Sequence, residues 1–314
     1  MSHELESMAY VSNEANGRFV PWHGLGQAVD HAMTSAEAIE AAGLNWNVLS
    51  KPMFTEEGLL IPNHKANIRD SDNSVLGIVT DRYQIVQNRD AFDFTDALIG
   101  EGVKYETAGS LFNGKKIFLL ASLPETKIID DEVVPYICFT NSHDGFGAIQ
   151  ACCTPIRVCC NNTLNLALSQ AKRKWSTKHV GDLSSKMAEA KHTLQLANDY
   201  MTELSHEAER LANISVTDAE IQKMLDELFP VTPEDSDRRK ANVQELKDQF
   251  MVCMFAPDLL KFKGTAWQAV QAASDFATHI SPKRAADSYR ANNFNRVLDG
   301  HPIIDKVYDL VTAR

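Results

Sequence analysis

The chain has 314 residues, 44% hydrophobic and 23% charged, the composition of a globular protein that can bury a core of its own. Its formal net charge of −11 excludes a histone-like or membrane-surface protein, yet leaves room for a local cationic groove. No stretch approaches the roughly 20 apolar residues a membrane span needs, and Met1-Ser2-His3-Glu4-Leu5-Glu6 lacks the basic and apolar regions of a signal peptide. A cytoplasmic protein with no membrane partner is expected.

Pro21-Trp22-His23-Gly24-Leu25-Gly26 is a compact turn-forming segment that lacks the G-x-G-x-x-G spacing of a dinucleotide loop. Thr34 with Glu37 spells a capping box, and Gly43 closes the short helix it opens. Leu44, Trp46 and Val48 alternate like one strand face. Residues 55 to 75 are polar and irregular. Val75 to Gln87 reads as a strand pair broken at Thr80-Asp81-Arg82, with Asn88 capping a helix that runs towards Gly100.

The centre of the chain reads as an antiparallel sheet. Val103 to Leu111 and Lys115 to Leu123 flank Asn113-Gly114, a pair that accepts positive φ and so marks a hairpin tip. Val133 to Thr140 then turns through Asn141-Ser142-His143-Asp144-Gly145 into Phe146 to Cys153. A helix opening at Asn161-Asn162-Thr163 follows and is expected to run to Lys174.

Beyond Asp182 the pattern becomes helical. Leu183, Met187, Ala190, Leu194, Ala197, Met201, Leu204, Ala208 and Leu211 alternate spacings of four and three, a heptad seam. The seam suits an intramolecular helical hairpin and also permits a homo-oligomer. Thr217 with Glu220, Thr232-Pro233-Glu234 and Gly264-Thr265 mark further helix starts. The expected fold is α+β: residues 1–178 hold an antiparallel β-sheet with helices, and residues 179–314 form an all-α C-terminal domain carrying the long heptad helix.

Cys138, Cys152, Cys153, Cys159, Cys160 and Cys253 sit mostly in apolar, strand-like sequence. Adjacent cysteines in a strand point to opposite faces, which defeats a zinc geometry, so buried core residues are expected and no metal or cofactor. His143-Asp144 could serve a nucleic-acid or nucleotide-processing enzyme, but the segment has the residues a turn requires, and no catalytic residue is assigned. The candidate site is the segment from Arg157 to Lys178. Asn161 and Asn162 stand at a helix start, where free N–H groups can meet an anion. Lys172, Arg173, Lys174 and Lys178 surround Trp175 with no acidic residue before Asp182. Cations interleaved with an aromatic suit single-stranded DNA, whose phosphates meet charge while its bases stack.

The segments Pro21–Gly26, Tyr105–Ser110, Asn141–Gly145, Arg157–Leu164 and Gly264–Trp267 together resemble the phage/plasmid-like protein family, also called domain of unknown function 932. That resemblance implies a phage, prophage or plasmid origin and brings no established catalytic residues. A β-hairpin, further antiparallel strands and a long helix also look like the core of Rad52-like single-strand annealing proteins, which assemble into rings or filaments. The expected function is single-stranded DNA binding or annealing, non-enzymatic, in recombination or replication of a mobile element. An enzyme using His143 and Asp144, and a module that binds a host factor, are the alternatives.

Overall fold

The computed structural model describes residues 5–11, 27–99, 104–129, 131–157, 174–189, 192–280 and 300–313. They are α+β and group into two compact units, one from Met1–Pro124, Pro135–Cys153 and Lys172–Asp199, the other from Glu125–Val134, Thr154–Ala171 and Tyr200–Arg314.

In the first unit the strands are β1 (Leu5–Val11), β2 (Gln27–Val29), β3 (Val48–Phe54), β4 (Leu60–Arg69), β5 (Val75–Thr80), β6 (Lys104–Leu111) and β7 (Lys116–Ser122). β8 (Thr126–Ile128), β9 (Asp131–Ser142), β10 (Ile149–Arg157) and β11 (Lys174–Thr177) follow. The large sheet is ordered β11-β10-β9-β7-β6-β1-β2, with β8 paired to the start of β9; β3, β4 and β5 form a separate antiparallel sheet. The short β8–β9 pairing itself belongs to the second unit.

Helix α1 (Ser35–Ala41) starts on the expected capping box, Thr34 and Glu37 bonding reciprocally, and Gly43 follows it at φ +63°. The β6–β7 hairpin forms where expected, but its loop is longer than Asn-Gly alone. Leu111 pairs with Lys116, so residues 112–115 turn the chain, and Phe112, Asn113 and Gly114 all have positive φ. The segment read as irregular contains β4. Its register against β3 slips between Pro52 and Phe54, and the surplus residues include Pro62 and the left-handed Asn63. A bulge of this kind admits residues that a regular strand excludes, and so hides the strand in the sequence. Only the first half of the expected 75–87 strand pair is a strand; residues 83–87 run as an irregular strap into helix α2 (Asn88–Ile99).

Arg69, at the end of β4, pairs with Glu6 and with Asp72 at 2.6 Å, and its guanidinium lies over the Trp46 ring. Cys138, Cys152 and Cys153 are buried in the sheet, as core packing requires. Cys159 and Cys160 lie outside the described residues.

Helices α3 (Leu183–Glu189) and α4 (His192–Ala212) cover the expected heptad segment. Within α4, Ala197, Leu204, Ala208 and Leu211 are buried in the single chain, so this part of the seam is already packed. In the second unit α5 (Asp218–Leu228) begins on the Thr217–Glu220 capping box. Helix α6 (Asp237–Met254) is capped by Ser236, later than the expected Thr232-Pro233, because Asp235 closes a turn back onto the Thr232 amide. A 3₁₀ segment, Pro257–Phe262, leads to α7 (Ala266–His279), which Thr265 caps. Buried almost throughout, α7 packs against α6 and against α8 (Pro302–Thr312) and forms the centre of this unit.

Candidate functional site

The strap at 83–88 has no strand partners among the described residues, so its backbone is satisfied by polar groups that converge on it from other elements. Gln84 and His179 bond each other twice: the Gln84 amide donates to the His179 carbonyl at 2.8 Å, and His179 Nδ1 donates to the Gln84 carbonyl at 3.0 Å. Asn141 donates to the Val86 carbonyl at 2.9 Å. Gln87 exchanges a reciprocal pair with the Val48 backbone. Asn88 does not cap α2; its Nδ2 donates to the carbonyls of Leu44 and Trp46, while the Gln87 amide takes the side chain of Asp90.

That leaves the Asn88 side-chain oxygen facing His143, whose Nε2 donates to it at 3.0 Å. The tautomers follow. Each ring spends its single proton on the strap, leaving His143 Nδ1 and His179 Nε2 as buried lone pairs with no hydrogen-bond partner among the described residues. Burial pushes His143 down to about 3, and the nearby His179 adds to the effect. Burial also lowers His179, against the opposing pull of the Gln84 carbonyl and of Asp144. Both rings are neutral. Tyr83 stacks on His179 with centroids 4.5 Å apart and donates to the Ser142 carbonyl.

The expected turn Asn141–Gly145 is therefore two things. Asn141 and Ser142 end β9, and with His143 they are buried; the exposed turn is Asp144 to Gly147. A ring that is wholly out of solvent and spends its proton on Asn88 is placed to hold the fold, not to exchange protons with a substrate. Phe146 belongs to the turn, not to the return strand, which begins at Ile149.

The candidate nucleic-acid residues divide. Asn161, Asn162, Lys172 and Arg173 lie outside the described residues, as does the helix expected at Asn161-Asn162-Thr163. Arg157 ends β10, and its side chain is likewise outside the described set. Lys174 and Trp175 open β11, so the chain is extended at the point where the helix was expected to end. Strand geometry then separates neighbours that the sequence had placed together: Lys174 and Trp175 point to opposite faces. Trp175 pairs with Ala151 and stacks on Phe94 at 6.1 Å, half-buried. Lys178 is exposed just past the strand. Phe146 is the residue that sequence reasoning missed, because an aromatic ahead of an apolar run looks like the first residue of that strand.

Among the described residues no group of three or more His, Cys, Asp or Glu is placed to hold a metal ion. None of the described helices is long and apolar enough to cross a membrane. A cleft of about 290 Å³ between α1 and α2 is lined by Ser35, Glu40, Asn45, Arg89 and Asp93, a mixed-charge set that selects no ligand class.

No curated protein and no solved structure matches the chain. Residues 75–298, more than half of the chain, match the profile of the family described as domain of unknown function (DUF932), and the chain belongs to that family.

Proposed function

We propose that the chain is a single-stranded DNA-binding or annealing protein of a phage or plasmid, non-enzymatic, acting in recombination or replication of that element. One observation carries this reading: β11 is the outermost described strand of the large sheet, Lys174 opens it, and exposed Lys178 follows it. An edge strand leaves a row of backbone groups facing outward, and cations beside such an edge suit a phosphate backbone. In the sequence Arg157, Asn161, Asn162, Lys172 and Arg173 precede β11, with no acidic residue between Arg157 and Asp182. The catalytic alternative loses support, because its histidine is buried and committed to Asn88.

A gel-shift titration with single- and double-stranded oligonucleotides at low salt tests the proposal. Tighter binding of the single strand, weakening as salt rises, is the expected result. If no oligonucleotide binds, the DNA reading is wrong and a host-factor interaction module replaces it.

A further inference from the structure

The exposed turn from Asp144 to Gly147 carries a side chain that the edge strand does not account for. Phe146 is 93% exposed, more than any other large apolar side chain described. An isolated apolar residue on a surface is ordinary, but the backbone beneath this one is held from several sides. The Asp144 carboxylate accepts the amides of Phe146 at 2.8 Å and Gly147 at 3.3 Å. Gly145 takes φ +85°, and a Cβ there would crowd the Val79 side chain. A Cβ on Gly147 would collide with the Ser142 side chain, and one on Gly77 of β5 would collide with the Asp144 backbone. Close approach at these positions fixes the turn, so the ring is presented on a preorganised support.

Two lysines flank that support. The His143 amide donates to the carbonyl of exposed Lys115 at 2.7 Å, which seats Lys115 beside the start of the turn. On the other side, Ile149, three residues after Phe146, pairs with Thr177, the last residue of β11, and exposed Lys178 follows it directly. An exposed aromatic between cations is the arrangement in which a base stacks while its phosphates meet charge. Trp175, the aromatic that the sequence singles out, is instead spent on Phe94.

We infer that Phe146 is the base-stacking residue of this chain, taking an unpaired nucleobase of a single strand whose backbone is held by Lys115 and Lys178. The inference rests on the DNA-binding reading above. The test measures fluorescence anisotropy of a labelled oligothymidine with the wild-type chain, Phe146→Ala, Phe146→Trp and the double variant Lys115→Ala/Lys178→Ala. Loss of one stacked base should weaken Phe146→Ala binding about tenfold or more, without changing its salt dependence. Phe146→Trp should restore affinity. The double lysine variant should flatten the salt slope by about 1.4, at about 0.7 per contact. Since the Phe146 ring lies in water, its alanine variant should melt like wild type. Wild-type affinity in Phe146→Ala would overturn the inference, leave the DNA reading standing, and mark the ring as a protein-docking side chain. No binding by the wild-type chain would instead overturn both.

Discussion

His143 donates from Nε2 to the side-chain oxygen of Asn88 at 3.0 Å, and neither side chain reaches solvent. Through this bond the end of β9 and the start of α2 are joined to Leu44 and Trp46, whose carbonyls the same asparagine holds. Asn88→Ala would therefore orphan the Trp46 carbonyl and the His143 ring N–H at once, while the Leu44 carbonyl keeps its bond from the Trp46 amide. Each unsatisfied buried group costs about 1–3 kcal/mol, so a loss of about 2 kcal/mol or more is expected. Urea denaturation checks this; an unchanged midpoint would mean that the strap is held without Asn88.

The two neutral imidazoles make stability depend on pH with a definite sign. Their folded-state pKa values lie below the ordinary 6.5, with His143 near 3. The unfolded chain therefore takes up protons first, so stability is full above about pH 6.5 and falls as pH drops towards 3. Exposed His31, paired with Asp30 and Glu37, shifts the opposite way and offsets part of this. Between pH 7 and 5 ordinary carboxylates stay ionised, so the slope there belongs mainly to imidazoles. The urea midpoint of the wild type should fall over that interval, and the fall should be smaller in His143→Gln. Parallel pH profiles for the two proteins would refute the assignment.

What the sequence disclosed and what it hid follow one physical division. Capping boxes at Thr34 and Thr217, the cap at Thr265 and the hairpin at Asn113-Gly114 were legible because each is written in residues within a few positions of one another. β4 was not, because its bulge carries Pro62 and Asn63. Nor was the role of Asn88, which reads as a cap and acts as a long-range clasp across more than 40 positions to Leu44 and 55 to His143. Local chemistry could not show that Asn141, His143 and His179 all serve the strap, since their meeting depends on the sheet order. The same reason separates Lys174 from Trp175: a cluster read along the chain is divided between two faces once the segment is extended.

Gly77 and Gly58 distinguish two reasons for keeping a glycine. A Cβ on Gly77 would lie against the backbone of Asp144, which cannot swing aside as a flexible side chain could. Gly58 has open space around it and needs only its φ of +81°. Gly58→Ala should cost about 1 kcal/mol, the ordinary left-handed penalty. Gly77→Ala should cost clearly more, about 2–4 kcal/mol, because the turn beneath Phe146 must shift. Melting temperatures of the two variants give the comparison, and equal losses would show that the β5–turn contact is soft.

The final prediction concerns the cationic edge. Lys174 is a poor probe of it: its side chain is half-buried on β11, so its removal would mix packing with charge. Lys178 is exposed, and Lys172 and Arg173 precede the strand with no acidic neighbour before Asp182. The variant Lys172→Ala/Arg173→Ala/Lys178→Ala thus tests charge while leaving Lys174 of β11 in place. For a single strand each phosphate contact contributes about 0.7 to the slope of log affinity against log salt, so three contacts contribute about 2. The variant should bind single-stranded DNA more weakly at low salt, converge on wild type as salt rises, and show a slope about two units flatter. Its melting temperature should stay close to that of wild type, because Lys178 is exposed past the end of β11 and the half-buried Lys174 is left in place. An unchanged slope with unchanged affinity would place the phosphate contacts elsewhere, whereas an unchanged slope with uniformly lower affinity would mean that these side chains act by shaping the edge.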